Sequence, residues 1–166
     1  MKSNRIEPPN EFTRIVDQVR RAYTGDAWHG PSVMEALSGV SAEAAAKKPI
    51  HNAHSIWELV LHMTTWVKVT RRRFQGEAVQ VSEAEDFPPV AETSEAAWRA
   101  ALAGLQKANH DLIAALAAVA DEPDFSKRLN ATVPGKDHSV YVLLHGIVQH
   151  NLYHAGQIVL LKKALS

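Results

Sequence analysis

Apolar positions repeat at steps of three and four along four long stretches of the chain, the period of helices that each bury one face. The first runs from about Glu11 to Tyr23, where Phe12, Val16, Val19 and Tyr23 share a face, and Gly25 ends it. Ser32 and Glu35 then form an S-x-x-E pattern, in which each side chain caps the other's backbone, so a short helix is predicted through Leu37 to a stop at Gly39. The first helical segment is therefore broken or kinked at Trp28–Gly30.

Ser55 and Glu58 repeat that capping pattern and start a second long helix at Ile56, which continues to about Phe74 and stops at Gly76. A third is predicted from Ser94 to about Ala120. Its seam is Trp98, Leu102, Leu105, Asn109, Leu112, Leu116 and Val119, with Asn109 as the polar interruption. The fourth, from about Ser139 to Ala164, carries a seam of Val140, Leu143, Ile147, His150, His154, Gln157 and Leu161. Residues 75–93 are acidic and hold Pro88 and Pro89, which reads as a crossover loop, and Pro123, Pro134 and Gly135 break the chain before the last helix. No strand pattern of convincing length appears, although short strand-like pairs fit within the loops. Four amphipathic segments bury their stripes most economically as an all-α four-helix bundle, in a single domain covering residues 1–166. All the connections are long, so loop length leaves the topology open.

Composition removes several function classes. Eighteen basic residues balance eighteen acidic ones, so the chain has no electrostatic footprint for nucleic acid or an anionic membrane. It contains no cysteine, which excludes disulfides, thiolate metal sites and a cysteine nucleophile, and leaves nitrogen and oxygen as metal donors. The N-terminus lacks the apolar stretch of a signal peptide, and no run reaches the length of a membrane span, so a soluble cytoplasmic protein is expected.

Nine histidines are many for 166 residues, and two of them occupy core positions of the last seam. At about 100° per residue, a four-residue step returns to nearly the same face, so His150 and His154 project inward one turn apart and can reach one ion. The competing reading is a pair of buried neutral histidines satisfied by hydrogen bonds. A third donor must come from another helix, and His62, flanked on its stripe by Leu59, Trp66 and Val69, is the best-placed candidate. His145 lies about 180° from His154 on the same helix and cannot join it. His51, His54, His110 and His138 read as structural or solvated, whereas His29, at the break in the first segment, is a pocket candidate. Three neutral imidazoles leave coordination positions open, the arrangement of a catalytic site, and suit zinc, nickel, iron or copper. No acidic residue stands in a seam as a hydrolytic base. Trp66, Asn109, Gln157 and His29 are candidates for groups lining or backing such a site. Gly146 and Gly156 suggest close approach of another helix, and Arg71, Arg72 and Arg73 a solvated face at a helix C-terminus.

The segments AHSIWELVLHMTTW around His62 and GIVQHNLYHAGQIVLLKKAL around His150 and His154, with the GDAWHG loop, resemble the DinB-like superfamily of metal-dependent bundles. The resemblance covers nearly the whole chain. It implies a down-up-up-down four-helix bundle, frequent homodimers, and a divalent metal, zinc or nickel, held by the histidines matching His62, His150 and His154. Similar proteins include thiol-dependent S-transferases and isomerases that use low-molecular-weight thiols on small-molecule substrates. A metal-dependent hydrolase and a non-catalytic, metal-stabilised binding module are the alternatives.

Overall fold

The computed structural model describes residues 10–120 and 124–165, and among them regular structure is entirely helical. Four long helices, α1 (Glu11–Thr24), α4 (Ile56–Phe74), α6 (Glu95–Ala117) and α8 (Val140–Leu165), alternate with short ones. The short helices are α2 (Val33–Leu37), α3 (Ala42–Ala46), α5 (Glu83–Asp86) and α7 (Phe125–Asn130). The segment expected to break at Trp28–Gly30 does so, as turns between α1 and α2.

The starts of the helices follow from local hydrogen bonding. Asn10 accepts from the Thr13 amide at 2.8 Å, and Ser94 caps α6 through the Ala97 amide. Ser32–Glu35 and Ser55–Glu58 both close as reciprocal capping boxes. Each such cap satisfies amides that a helix leaves unpaired, and losing one costs about 1 kcal/mol.

Three elements depart from the sequence reading. Helix α5 interrupts the 75–93 crossover because Ser82 donates from its amide and hydroxyl to Glu85, at 2.9 and 2.7 Å, which is enough to close one turn. Helix α7 forms in the last loop by burying Phe125 and Leu129, and α3 forms behind Ser41, burying Ala42 and Ala45. Beyond α7, Thr132 and Ser139 make an isolated antiparallel bridge.

Helix α4 packs against α6 and α8, and α1 against α6 and α8. Their buried side chains form two hydrophobic clusters. One gathers Tyr23, Ile56, Trp57, Leu59, Val60, Met63, Trp98, Leu105, Ala155, Ile158 and Leu161 with the α2 and α3 residues. The other gathers Phe12, Ile15, Val19, Val67, Phe74, Ala108, Leu112, Leu116, Leu144 and Ile147 with the α7 residues. Full burial of a side chain of this kind is worth about 1.5–3 kcal/mol, so the two clusters dominate stability. Near their junction lie buried polar residues: Asn151 and His154 fall between the clusters along α8, His62 sits beside Met63 of the first, and Asn109 beside Ala108 of the second.

Two expectations are corrected. A Cβ on Gly146 or Gly156 would meet nothing within 4 Å, so neither glycine admits a neighbouring helix. The arginine run is not one solvated face, because Arg73 turns inward and is only 6% exposed.

Candidate metal centre

His62 reaches the polar band from the middle of α4, and His150 and His154 reach it from successive turns of α8. His62 and His154 are buried and His150 is half-buried. Nε2 of His150 lies 2.9 Å from Nε2 of His62 and 3.2 Å from Nε2 of His154. Two nitrogens each about 2.0–2.1 Å from one ion stand roughly 3.3 Å apart in tetrahedral geometry, so these separations suit a shared cation.

The opposite edges of the His62 and His154 rings show why their Nε2 atoms present lone pairs. Nδ1–H of His62 donates to the Asp86 carbonyl at 2.8 Å and lies 3.0 Å from the Asp86 carboxylate. Nδ1–H of His154 donates to Oε1 of Gln157 at 2.6 Å. Both partners are acceptors, so the ring proton of each resides on Nδ1 and Nε2 is bare. Nδ1 of His150 is buried without a hydrogen-bond partner. The bare Nε2 atoms of His62 and His154 flank Nε2 of His150 on either side, and the three histidines form a group that can hold a metal ion.

Burial disfavours the charged form of the two α8 histidines. Burial, reinforced by His154 and His62, pushes the His150 imidazole down from 6.5 to about 3. Burial lowers His154 as well, against the raising effect of its bond to Gln157. A neutral imidazole is the form that ligates metal, so no proton needs to be removed at neutral pH.

Asp86 and Phe87 were not visible in the helical periodicity, because both lie in the crossover at the end of α5. Asp86 is held there by its amide's bond to the Ser82 carbonyl at 2.9 Å. Phe87 stacks on His62 at 4.0 Å between ring centres, and on its other face stacks His54 at 3.8 Å. The only local signal was the Ser82–Glu85 capping pattern, which places a turn without saying what the turn touches.

Of the remaining candidates, Gln157 and Trp66 come to the triad. The Trp66 indole N–H donates to the Asp86 carboxylate at 2.6 Å, and its ring lies 6.3 Å from that of His62 and 6.1 Å from that of His150. Asn109 instead donates to the Leu105 carbonyl of its own helix at 3.0 Å. His29 is exposed and lines a separate cavity of about 200 Å³ with Arg21, Trp28, Val148 and Leu152. His145 stays off the site, half-buried against Tyr141 at 4.3 Å. His54, read as structural or solvated, is exposed and borders a cavity of about 330 Å³ that also meets Leu59, Gln157 and Leu161.

An all-helical protein with three histidines from two helices around one potential ion site is the class that fold and geometry define. A family model of the DinB superfamily matches residues 27–158, and the chain belongs to that superfamily. Comparison with curated proteins and with solved structures gave no significant match. Among the described residues, no helix is long and apolar enough to cross a membrane.

Proposed function

We propose that this protein is a divalent-metal-dependent enzyme, its ion held by Nε2 of His62, His150 and His154, acting in the cytoplasm as a thiol-dependent S-transferase or isomerase on a small molecule. The observation that carries the reading is the convergence of the three Nε2 atoms, with the Nδ1 protons of His62 and His154 directed onto Asp86 and Gln157. Zinc or nickel suits such a nitrogen set. When bound, the ion would supply the Lewis acidity that lowers the pKa of a thiol at an open position.

The chain's own residues do the rest. Asp86 and Gln157 fix the orientations of His62 and His154, Phe87 covers a face of His62, and Trp66 packs at an angle to it. Among the described residues, Asp86 is the carboxylate in contact with the triad, and its Oδ1 already faces both the Trp66 N–H and His62. A carboxylate so engaged is poorly placed as a hydrolytic base, which favours thiol chemistry over hydrolysis.

The same reading takes the fold as a down-up-up-down four-helix bundle. In its support, the N-terminal halves of α4 and α6 share a hydrophobic cluster with the C-terminal parts of α1 and α8. A homodimer is part of the proposal, supported by the exposed Val142 and Tyr153 on one face of α8.

The test is to purify the untagged protein without chelators, measure its metal content, and screen electrophiles with low-molecular-weight thiols. About one divalent ion per chain is expected, with turnover that disappears on chelation and returns with metal. Metal uptake that raises the melting temperature, with every thiol and electrophile inert, would leave a binding module in place of the enzyme. Absence of uptake on dialysis against zinc and nickel would remove the metal reading.

A further inference from the structure

At the end of α4, three consecutive arginines have different fates. Arg72 pairs with Glu77 at 2.7 Å, and Arg71 reaches Gln75 at 3.4 Å, both toward the outside. Arg73 is 6% exposed, donates from Nη2 to the Val79 carbonyl at 2.9 Å, and holds its guanidinium 5.5 Å from the centre of the Trp66 ring. Its Nε is buried without a partner, and its contacts include no carboxylate.

A guanidinium does not escape burial by losing its proton. The aromatic face, one carbonyl and the C-terminal dipole of α4 offset part of the desolvation cost, but none supplies a negative charge. A buried cation without a counter-ion is costly, and a ligand that brings the missing charge is one way to relieve it.

The surroundings fit that role. Arg73 lines a cavity of about 170 Å³ together with Trp66, Gln80, Ser82, Asp86 and Lys136. Lys136 adds a second cation, its Nζ lying 3.4 Å from the Gln80 side chain. Of the acidic lining residues, Asp86 is committed to Trp66 and His62, and Glu83 is exposed on the first turn of α5. Trp66 and Asp86 are also the groups that touch the histidine triad, so the cavity abuts the candidate metal centre.

We propose that this cavity binds the carboxylate of a small organic acid, with Arg73 and Lys136 as its binding residues. The planar fork of an arginine matches a carboxylate with two parallel hydrogen bonds. A space of this size takes the acid group and a few carbons, with the remainder of the molecule directed along Trp66 toward the triad. That the bound acid is a substrate rests on the enzyme reading above. The anion site itself rests on Arg73 and does not require the metal.

The experiment follows the side-chain Nε–H resonance of Arg73 by NMR in the full-length, metal-free protein, titrated with sodium acetate at constant ionic strength made up with chloride. A saturable shift is expected with acetate, and none with the neutral isostere acetamide. Lys136→Gln, at a half-buried position with little packing to lose, should weaken acetate binding severalfold. Arg73→Gln, read from backbone amides lining the cavity once its fold is verified, should weaken it about tenfold or more. Equal responses to acetate and acetamide, or acetate binding unchanged in both variants, would overturn the site. Tighter binding of inorganic phosphate than of acetate would overturn the carboxylate assignment. Acetate binding that appears only after metal loading and ignores both variants would place the acid on the ion, refuting this inference while sparing the metal reading. A protein that takes up no metal yet shows the acetate response would do the reverse.

Discussion

Two parts of the molecule meet at the histidines and contribute in different ways. Helices α4 and α8 aim the Nε2 atoms, because residues a turn apart on a helix share a face and packing of one helix on the other presses the two faces together. The crossover between α4 and α6 aims nothing at an ion itself. It delivers Asp86 to the back of His62 and Phe87 to its ring face. His154 gets its equivalent of Asp86 from its own helix, since Gln157 lies three residues on and bonds its Nδ1 at 2.6 Å. The difference teaches that donor position is set by regular helix geometry, whereas donor orientation is set locally, on α8 by the next turn and on α4 by a loop.

Breaking the helical contribution should have the largest effect. His150→Ala removes the nitrogen shared by both close contacts, and divalent-metal affinity, read by titration calorimetry, should fall at least about a hundredfold. Unchanged affinity would mean that the ion sits elsewhere. Stripping the metal from the intact protein comes next. Relative to protein with metal at about a hundred times its Kd, the melting temperature should drop by about 5–10 °C, and a drop equally large in the His150→Ala variant would contradict this assignment.

The loop contribution should be smaller. Asp86→Asn removes the carboxylate but leaves the backbone carbonyl that His62 also uses, so metal affinity should weaken by about tenfold. A loss as large as that of His150→Ala would make Asp86 a ligand instead of an orienting group. Gln157→Ala should cost a few-fold, because the helix still directs His154 inward.

The smallest effect concerns protons in the metal-free protein. His150 is held at about 3 when folded and returns to its ordinary 6.5 when unfolded, so the unfolded chain binds more protons between those values. Stability should therefore be fully present above pH 6.5 and decline as pH falls toward 3, with His154 acting in the same direction. Urea midpoints measured from pH 7 to pH 5.5 should move downward, and the slope should flatten in His150→Ala. A midpoint that rises on acidification would show that the rings gain protons on folding.

The contrast between helix and loop also describes what could be read in the residues beforehand. The long helices were legible because apolar spacing and capping pairs such as Ser55 and Glu58 are local. The facing of His150 and His154 was legible for the same reason. Ile15 took the buried place assigned to Val16, a shift of one position that a helix axis turned against its neighbours readily produces. The inward turn of Arg73 was hidden, because a run of three arginines looks uniformly polar until the partner of each is known. Helices α3, α5 and α7 were missed because each is shorter than the window in which periodicity can be recognised.

By itself the sequence determined an all-helical chain, a pair of inward histidines on its last helix, and a third histidine suitably placed on another. Those properties depend on intervals of three or four residues, and the backbone geometry of a helix converts such intervals directly into a shared face. Only the tertiary structure decided that His62 lies 2.9 Å from His150, that Asp86 holds the far edge of His62, and that Arg73 is buried beside the site without a counter-ion. Each of these depends on segments far apart in the sequence whose meeting is set by packing, and no local interval encodes where such segments come to rest.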